Sequence, residues 1–186
     1  MSAEITRKRF TFEDCLRMEE TGVLPPWECV ELINGDLIVV SPTGPRHGSA
    51  VDRTTKVMQR LLQERAIIRT QGTVVLDMHA APLPDIALLK PRSDDYAESN
   101  PVSADILLIV EVSISSLDYD STTRLPLYAI TEIREYWVAD LENNRLTAYS
   151  NPKGDTYLTV RELRRGDSIA PMAFPDCELP VDLLLP

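Results

Sequence analysis

Short apolar runs alternate along this chain with stretches of helical spacing, and the longest run, ADILLIVEVS at residues 104–113, sets the frame. A β-branched run of that length predicts a central strand covered on both faces. Near the N-terminus, TFEDCLRMEE predicts a short helix, with Thr11 as N-cap, acids in the first turn and a narrow stripe of Phe12, Cys15 and Leu16. WECVELI and DLIVVS flank Asn34-Gly35, a strong signal for a tight hairpin. From Arg46 to Glu64 the apolar positions Val51, Thr54, Val57, Met58, Leu61 and Leu62 follow helical spacing. AIIRT, TVVLDM and PDIALLK read as strands ahead of the long run. DYDSTTRLPLYAITEI then reads as helix, with Pro126 either kinking it or opening a second segment. REYWVADL, a turn at Asn143-Asn144 and RLTAYS predict a second hairpin, followed by the strand TYLTVREL. Beyond Gly166 the chain is broken by prolines and ends in the apolar VDLLL. This order predicts an α/β fold with a mixed central sheet flanked by helices.

Composition narrows the picture only a little. A length of 186 residues suits one domain, taken as 1–186, with enough chain for a sizeable core. No apolar stretch approaches the about 18 residues of a membrane span. The opening MSAEITRKRF has basic residues but no apolar segment behind them, so the expectation is a cytoplasmic protein. Cys15, Cys29 and Cys177 are scattered without a CxxC and read as free thiols. The net charge of −10 argues against indiscriminate coating of nucleic acid, so any surface facing DNA must be a local basic patch.

Chemistry enters through Glu111, a carboxylate inside the most apolar strand. An ionised group there costs several kcal/mol unless something pairs with it. Period-two alternation puts Leu107, Ile109, Glu111 and Ser113 on one strand face. Upstream, Pro84-Asp85 opens another short apolar strand. Two neighbouring strands of this kind can bring Asp85 and Glu111 within a few ångströms, where their charges repel. A divalent cation is the usual remedy, and oxygen donors without a His or Cys cluster point to Mg²⁺ or Mn²⁺.

PD, a gap, then EVS on a central strand resembles the PD-(D/E)XK nuclease core. Four segments, WECVELINGDLIVVSPTGPRHG, PLPDIALLKPR, DILLIVEVSISSLDYDSTTRLPLYA and IREYWVADLENNRLTAY, resemble in order and spacing the Uma-two family of restriction-endonuclease-like proteins. The resemblance implies a restriction-endonuclease-like core. It implies that Asp85 and Glu111, with the Val112 carbonyl, hold Mg²⁺ or Mn²⁺, and that Glu31 completes the acidic cluster directly or through a water. His47 matches the family's histidine at the start of the long helix. Ser113 stands where the wider superfamily has a lysine, and the compensating cation of the next helix is Arg124, where the family usually has Lys. Arg keeps the charge but cannot give up a proton near neutral pH, which leaves it the role of electrostatic stabiliser.

Backbone contacts to DNA would fall to candidates among Arg46, Arg53, Lys56, Arg60, Lys90 and Arg92, with Gln71 as a further polar group in the cleft. Tyr128, Tyr136 and Trp137 read as core or interface residues rather than base-stacking ones, with EYWVADL able to contribute to a homodimer. Asp118 and Asp120 read as caps of the helix that presents Arg124. The reading that follows is a metal-dependent endonuclease acting on DNA. Its rival is a catalytically inactive nuclease-fold protein serving as a DNA-binding or assembly module, favoured by the acidic charge and by Arg124.

Overall fold

The computed structural model describes residues 6–25, 28–40 and 44–185. Helix α1 (Phe12–Glu20) begins as expected: Thr11 Oγ1 accepts from the Asp14 amide and Asp14 Oδ2 accepts from the Thr11 amide. Strands β1 (Val30–Ile33) and β2 (Asp36–Val39) form the first hairpin, turning through Asn34 and Gly35 at φ 52° and 80°. A side chain at Gly35 would meet Arg9 as well as strain the backbone, since a Cβ there would lie 2.6 Å from the Arg9 Cβ. The outer residues of that predicted hairpin, Trp27 and Ser41, lie outside the described residues.

Helix α2 (Pro45–Leu62) buries His47, Ala50, Val51, Thr54, Met58 and Leu62 at helical spacing. Six strands form the main sheet in the order β3 (Ile67–Thr70), β4 (Ile86–Leu89), β5 (Ile106–Ser113), β6 (Glu135–Asp140), β7 (Arg145–Lys153), β8 (Thr156–Leu163). Neighbours are antiparallel except β5 and β6, which run parallel. A parallel pair needs a crossover, and the chain supplies it as α3 (Leu117–Tyr119), a π turn (Asp120–Arg124) and α4 (Leu125–Ile130). A small ribbon of β9 (Ser168–Ile169) and β10 (Leu179–Pro180) completes the elements. The mixed α/β sheet read from the sequence is therefore the one observed.

The sheet carries an apolar layer on each face. Leu108, Val110, Val112, Trp137 and Leu146 pack with Met58 and Leu62 of α2 and with the C-terminal Val181, Leu184 and Leu185. Ile109, Tyr136 and Val138 pack on the other side with Leu127 and Tyr128 of α4 and with Ile33 of the hairpin. The face assignment of β5 needs one correction. Register slips between Leu88 and Leu89, so Leu107 is the extra residue of a bulge and joins the α2 side.

TVVLDM is not a strand. Val75 bridges Val102 and Asp77 bridges Ala80, with no ladder. Two of its amides find carbonyls of prolines, Val74 to Pro82 and Val75 to Pro101, and the next two, Leu76 and Asp77, turn back to the Ala80 carbonyl. A proline carbonyl accepts but its nitrogen returns no bond, so pairing cannot propagate on either side. EYWVADL is also not an interface segment: all of β6 is buried, an inner strand with Tyr136 and Trp137 at 0% exposure.

Glu135 sits buried on β6, accepting from Trp137 Nε1 at 2.9 Å and the Met172 amide at 2.7 Å. Burial pushes its carboxyl above the ordinary value despite those two donors. A folded-state value raised in this way makes the group's contribution to stability largest below the unfolded value of 4.5, declining as pH rises through the folded one. Urea titrations from pH 4 to 8 on the native chain and on Glu135→Gln are expected to show that decline in the native chain and a flatter profile in the variant.

Candidate active site

Asp85 immediately precedes β4, and the antiparallel register that pairs Ile86 with Val110 brings it opposite Glu111. The contact is direct: the Asp85 amide donates to Glu111 Oε2 at 3.2 Å, and the Val112 amide donates to Asp85 Oδ2 at 2.9 Å. The two carboxylates inferred from strand patterning are thus neighbours across one ladder. Glu31 arrives from the separate hairpin, tied to Ala81 by the Leu32 bridge, and accepts from the Leu83 amide at 2.8 Å. His47, in the first turn of α2, donates from Nε2 to Asp85 Oδ2 at 2.9 Å, while its buried Nδ1 has no partner among the described residues.

Arg124 stands at the centre. Its Nη2 donates to both oxygens of Glu31, at 2.7 and 2.8 Å, and its Nη1 lies 2.5 Å from Glu111 Oε1. The Nε, 3.8 Å from Asp120 Oδ1, makes no hydrogen bond with a described residue. Only 9% of the residue is exposed. Its position follows from Pro126. A proline has no amide hydrogen, so the Thr122 carbonyl loses its usual donor, and the helix widens by one residue into a π turn closed by the Leu125 amide on the Asp120 carbonyl. Beyond that turn Tyr128, at 0% exposure, donates from its hydroxyl to Glu111 Oε1 at 2.8 Å.

Asp120 is the residue most underestimated by the sequence. Its side chain caps no helix N-terminus: it lies inside the π turn at 2% exposure, accepting from Ser116 Oγ at 2.8 Å, and Ser116 also reaches the Ser113 hydroxyl at 3.2 Å. Asp118, its neighbour in the capping prediction, is exposed. Ser113 therefore supports Asp120 rather than supplying a cation. The signal that could have found this face is the i, i+4, i+8 spacing of Asp120, Arg124 and Tyr128.

Four carboxylates share the site with two basic groups, and the protonation balance reflects that. Burial raises the Glu111 carboxyl well above its ordinary range; Arg124 opposes this, and the charges of Asp85, Asp120 and Glu31 add to it. Burial likewise raises Asp120, against the charge of Arg124 and the bond from Ser116. Burial alone would lower His47, but the hydrogen bond and charge of Asp85 carry it above its ordinary value. Burial also disfavours the charged guanidinium of Arg124, and Glu111, Tyr128, Glu31 and Asp120 overcome that, so it stays charged throughout.

Among the described residues no three His, Cys, Asp or Glu side chains come together as a ligand set. Asp85 and Glu111 do fit a hard divalent cation in donor type and charge. Both are carboxylates, Asp85 Oδ1 accepts no hydrogen bond from the described residues, and Glu111, raised by burial and then by the charges of Asp85, Asp120 and Glu31, is a group whose charged form a cation would favour. Two carboxylates with the balance of ligands from water and substrate is an ordinary way to hold Mg²⁺. Glu31 fits less well, because both of its oxygens already hold Arg124.

The basic candidates divide. Arg46 adjoins His47 but is pinned to the β6–β7 turn, 3.1 Å from Glu142 and 2.7 Å from the Leu141 carbonyl. Arg53, Lys56 and Arg60 lie exposed on the outer side of α2. Lys90 does not belong to the site: it follows the far end of β4, roughly 16 Å along the strand from Asp85. There it lines a cavity of about 360 Å³ with Ser103, Glu132 and Arg134. Arg92, near it, is paired with Asp94. Gln71 is exposed, and its amide bonds the Pro84 and Asp85 carbonyls, which sets its backbone beside Asp85.

A family model described as "Uma2: Putative restriction endonuclease" matches residues 12–182. Among solved structures the chain is similar to one titled as a "putative nuclease belonging to DUF820" from Anabaena variabilis, with 16% identity and a TM-score of 0.73 over 94% of this chain and 97% of that one. No curated protein matches.

The hydroxyl of Tyr128 supplies one of the two donors to Glu111 Oε1. Its removal in Tyr128→Phe is expected to cost about 1–2 kcal/mol of stability, read by urea denaturation, because the loss falls on a buried charged acceptor. An unchanged midpoint would mean that Arg124 alone satisfies that oxygen.

Proposed function

The chain belongs to the Uma2 restriction-endonuclease family, and from that premise we propose that it is a divalent-metal-dependent endonuclease of the PD-(D/E)XK type, hydrolysing phosphodiester bonds in DNA within a single domain spanning 1–186. The observation that carries the reading is the paired register of Asp85 and Glu111 beside a buried, permanently charged Arg124. Asp85, Glu111 and the Val112 carbonyl would hold Mg²⁺ or Mn²⁺. The bound cation would supply neutralisation of charge at the scissile phosphate and a lowered pKa for water.

The remaining roles belong to the chain's own side chains. His47 orients the Asp85 carboxylate through Oδ2 and leaves Oδ1 without a donor among the described residues. Tyr128 fixes Glu111 in one rotamer, and Glu31 holds Arg124 with both oxygens. Arg124 contributes positive charge toward the phosphate and moves no proton, in keeping with its raised proton affinity. Gln71, whose amide bonds the Asp85 carbonyl, and Arg46, next to His47 in the chain, are the candidates for contacts with the nucleic acid backbone. A homodimer stays part of this reading, formed through surfaces other than the buried β6. No helix among the described residues is long and apolar enough to cross a membrane, and a cytoplasmic location accords with this reading.

A second reading has an observation of its own. Both Glu31 oxygens and one Glu111 oxygen are engaged by Arg124, which suits a catalytically inactive nuclease-fold module that binds DNA or assembles with a partner. Cleavage decides between the two. Plasmid and single-stranded DNA incubated with Mg²⁺, Mn²⁺ or EDTA are expected to be cut only with metal, and Asp85→Asn and Glu111→Gln are expected to reduce cutting to background while keeping the fold. Cutting that survives either substitution, or EDTA, would sink the endonuclease assignment.

A further inference from the structure

The oxygens of the acidic site are nearly all committed. Glu31 Oε1 accepts from Arg124 and from the Leu83 amide, and Oε2 accepts from Arg124. Glu111 Oε1 faces Arg124 Nη1 at 2.5 Å and the Tyr128 hydroxyl at 2.8 Å, while Oε2 accepts from the Asp85 amide. Asp85 Oδ2 is shared by the Val112 amide and His47. Asp120 Oδ2 accepts from Ser116, and Asp85 Oδ1 and Asp120 Oδ1 remain without a donor among the described residues. A cation arriving at Asp85 therefore meets, at Glu111, a carboxylate that already has a positive partner.

Resting on the metal-nuclease reading, we propose that Arg124 is the residue that sets the divalent-cation affinity of this site, because its guanidinium and the cation compete for Glu111. The guanidinium is a resident monovalent counter-ion. Its planar fork spans Glu31 and Glu111 at once, through Nη2 and Nη1 respectively, and a lysine ammonium at the same position lacks that geometry. Its third nitrogen, Nε, stays unmatched at 3.8 Å from Asp120, so Glu31 and Glu111 rather than Asp120 decide where it rests.

Competition has a directional consequence. While the guanidinium holds Glu111, the oxygens without a donor among the described residues are Asp85 Oδ1 and Asp120 Oδ1; a cation at Asp85 meets a Glu111 that is already paired, and binding is weak. When the guanidinium instead pairs with a phosphate, for which its fork is equally suited, Glu111 is released to the cation. Anion binding and cation binding then favour each other by the same factor, as linkage requires. Arg124 thus ties metal loading to the presence of a phosphate backbone.

Calorimetric titration with Mn²⁺ tests this without reference to cleavage. Arg124→Gln, which keeps polar contacts but removes the competing charge, is expected to bind Mn²⁺ at least tenfold more tightly than the native chain, with Arg124→Lys in between. Asp85→Asn in the Arg124→Gln background is expected to abolish the gain. Equal or weaker binding by a folded Arg124→Gln, its fold checked by near-ultraviolet circular dichroism, overturns the proposal. Should that variant not fold, Arg124→Lys carries the test, and Mn²⁺ affinity no tighter than native overturns it. Failure of the underlying nuclease reading has a different signature: DNA cleavage undiminished in Asp85→Asn, whatever the titrations give.

Discussion

The rest of this structure depends on one electrostatic constraint: a guanidinium buried among carboxylates. Glu31, Glu111 and Asp120 lie buried in or beside the apolar layer between the sheet and α4, where water screens them poorly, and Asp85 stands partly exposed at their edge. Unpaired, any of these charges would cost several kcal/mol, and removing one partner of a buried pair costs about 3–5 kcal/mol. Arg124 meets that demand by binding Glu31 and Glu111 together. The hairpin that brings Glu31, the ladder that brings Glu111 and the widened helix that brings Arg124 must all be formed before the charges balance.

Fold and chemistry are joined here by ordinary local rules. An antiparallel ladder sets Asp85 opposite Glu111 because β4 and β5 share a register, and their side-chain layers hold that register. A proline without an amide hydrogen opens the π turn. A tight Asn-Gly turn lets the first hairpin fold back so that Leu32 can bridge Ala81. None of these devices is chemical in itself, yet each delivers one charged group to the same point.

The pair Asp85 and Glu111 was readable in the sequence because each stands out against an apolar strand, and two-residue periodicity puts them where neighbouring strands can bring them together. Glu31, His47 and Arg124 came from the family resemblance, and the geometry gathers all three around that pair. Asp120 and Tyr128 were obscured. With Pro126 between them, the helix could not be assigned a single phase, so their shared face with Arg124 did not stand out. Lys90 was misjudged for a different reason. A short strand has two ends, and closeness to Asp85 in sequence places a residue at the wrong one. TVVLDM looked like a strand because its own residues favour one, whereas pairing is decided by partners, and its first two bonds go to proline carbonyls while the next two fold back on Ala80. Trp137 and Tyr136, read as core or interface residues, are core, because an inner strand leaves them no outer face for an interface.

The first hairpin is not part of the main sheet. Its ladder is its own, and it is fastened through the Leu32–Ala81 bridge and through hydrogen bonds from Gly35 to His79 and from Phe10 to Gly35. Its inner strand nonetheless buries Glu31, Leu32 and Ile33, so the ribbon shares the core without sharing the ladder. Were it to open alone, Glu31 would leave the guanidinium and the interior would carry a different charge. The electric field at the centre of the molecule thus rests on a ribbon outside the sheet, and amide exchange along residues 30–39 is the clock that would time its opening.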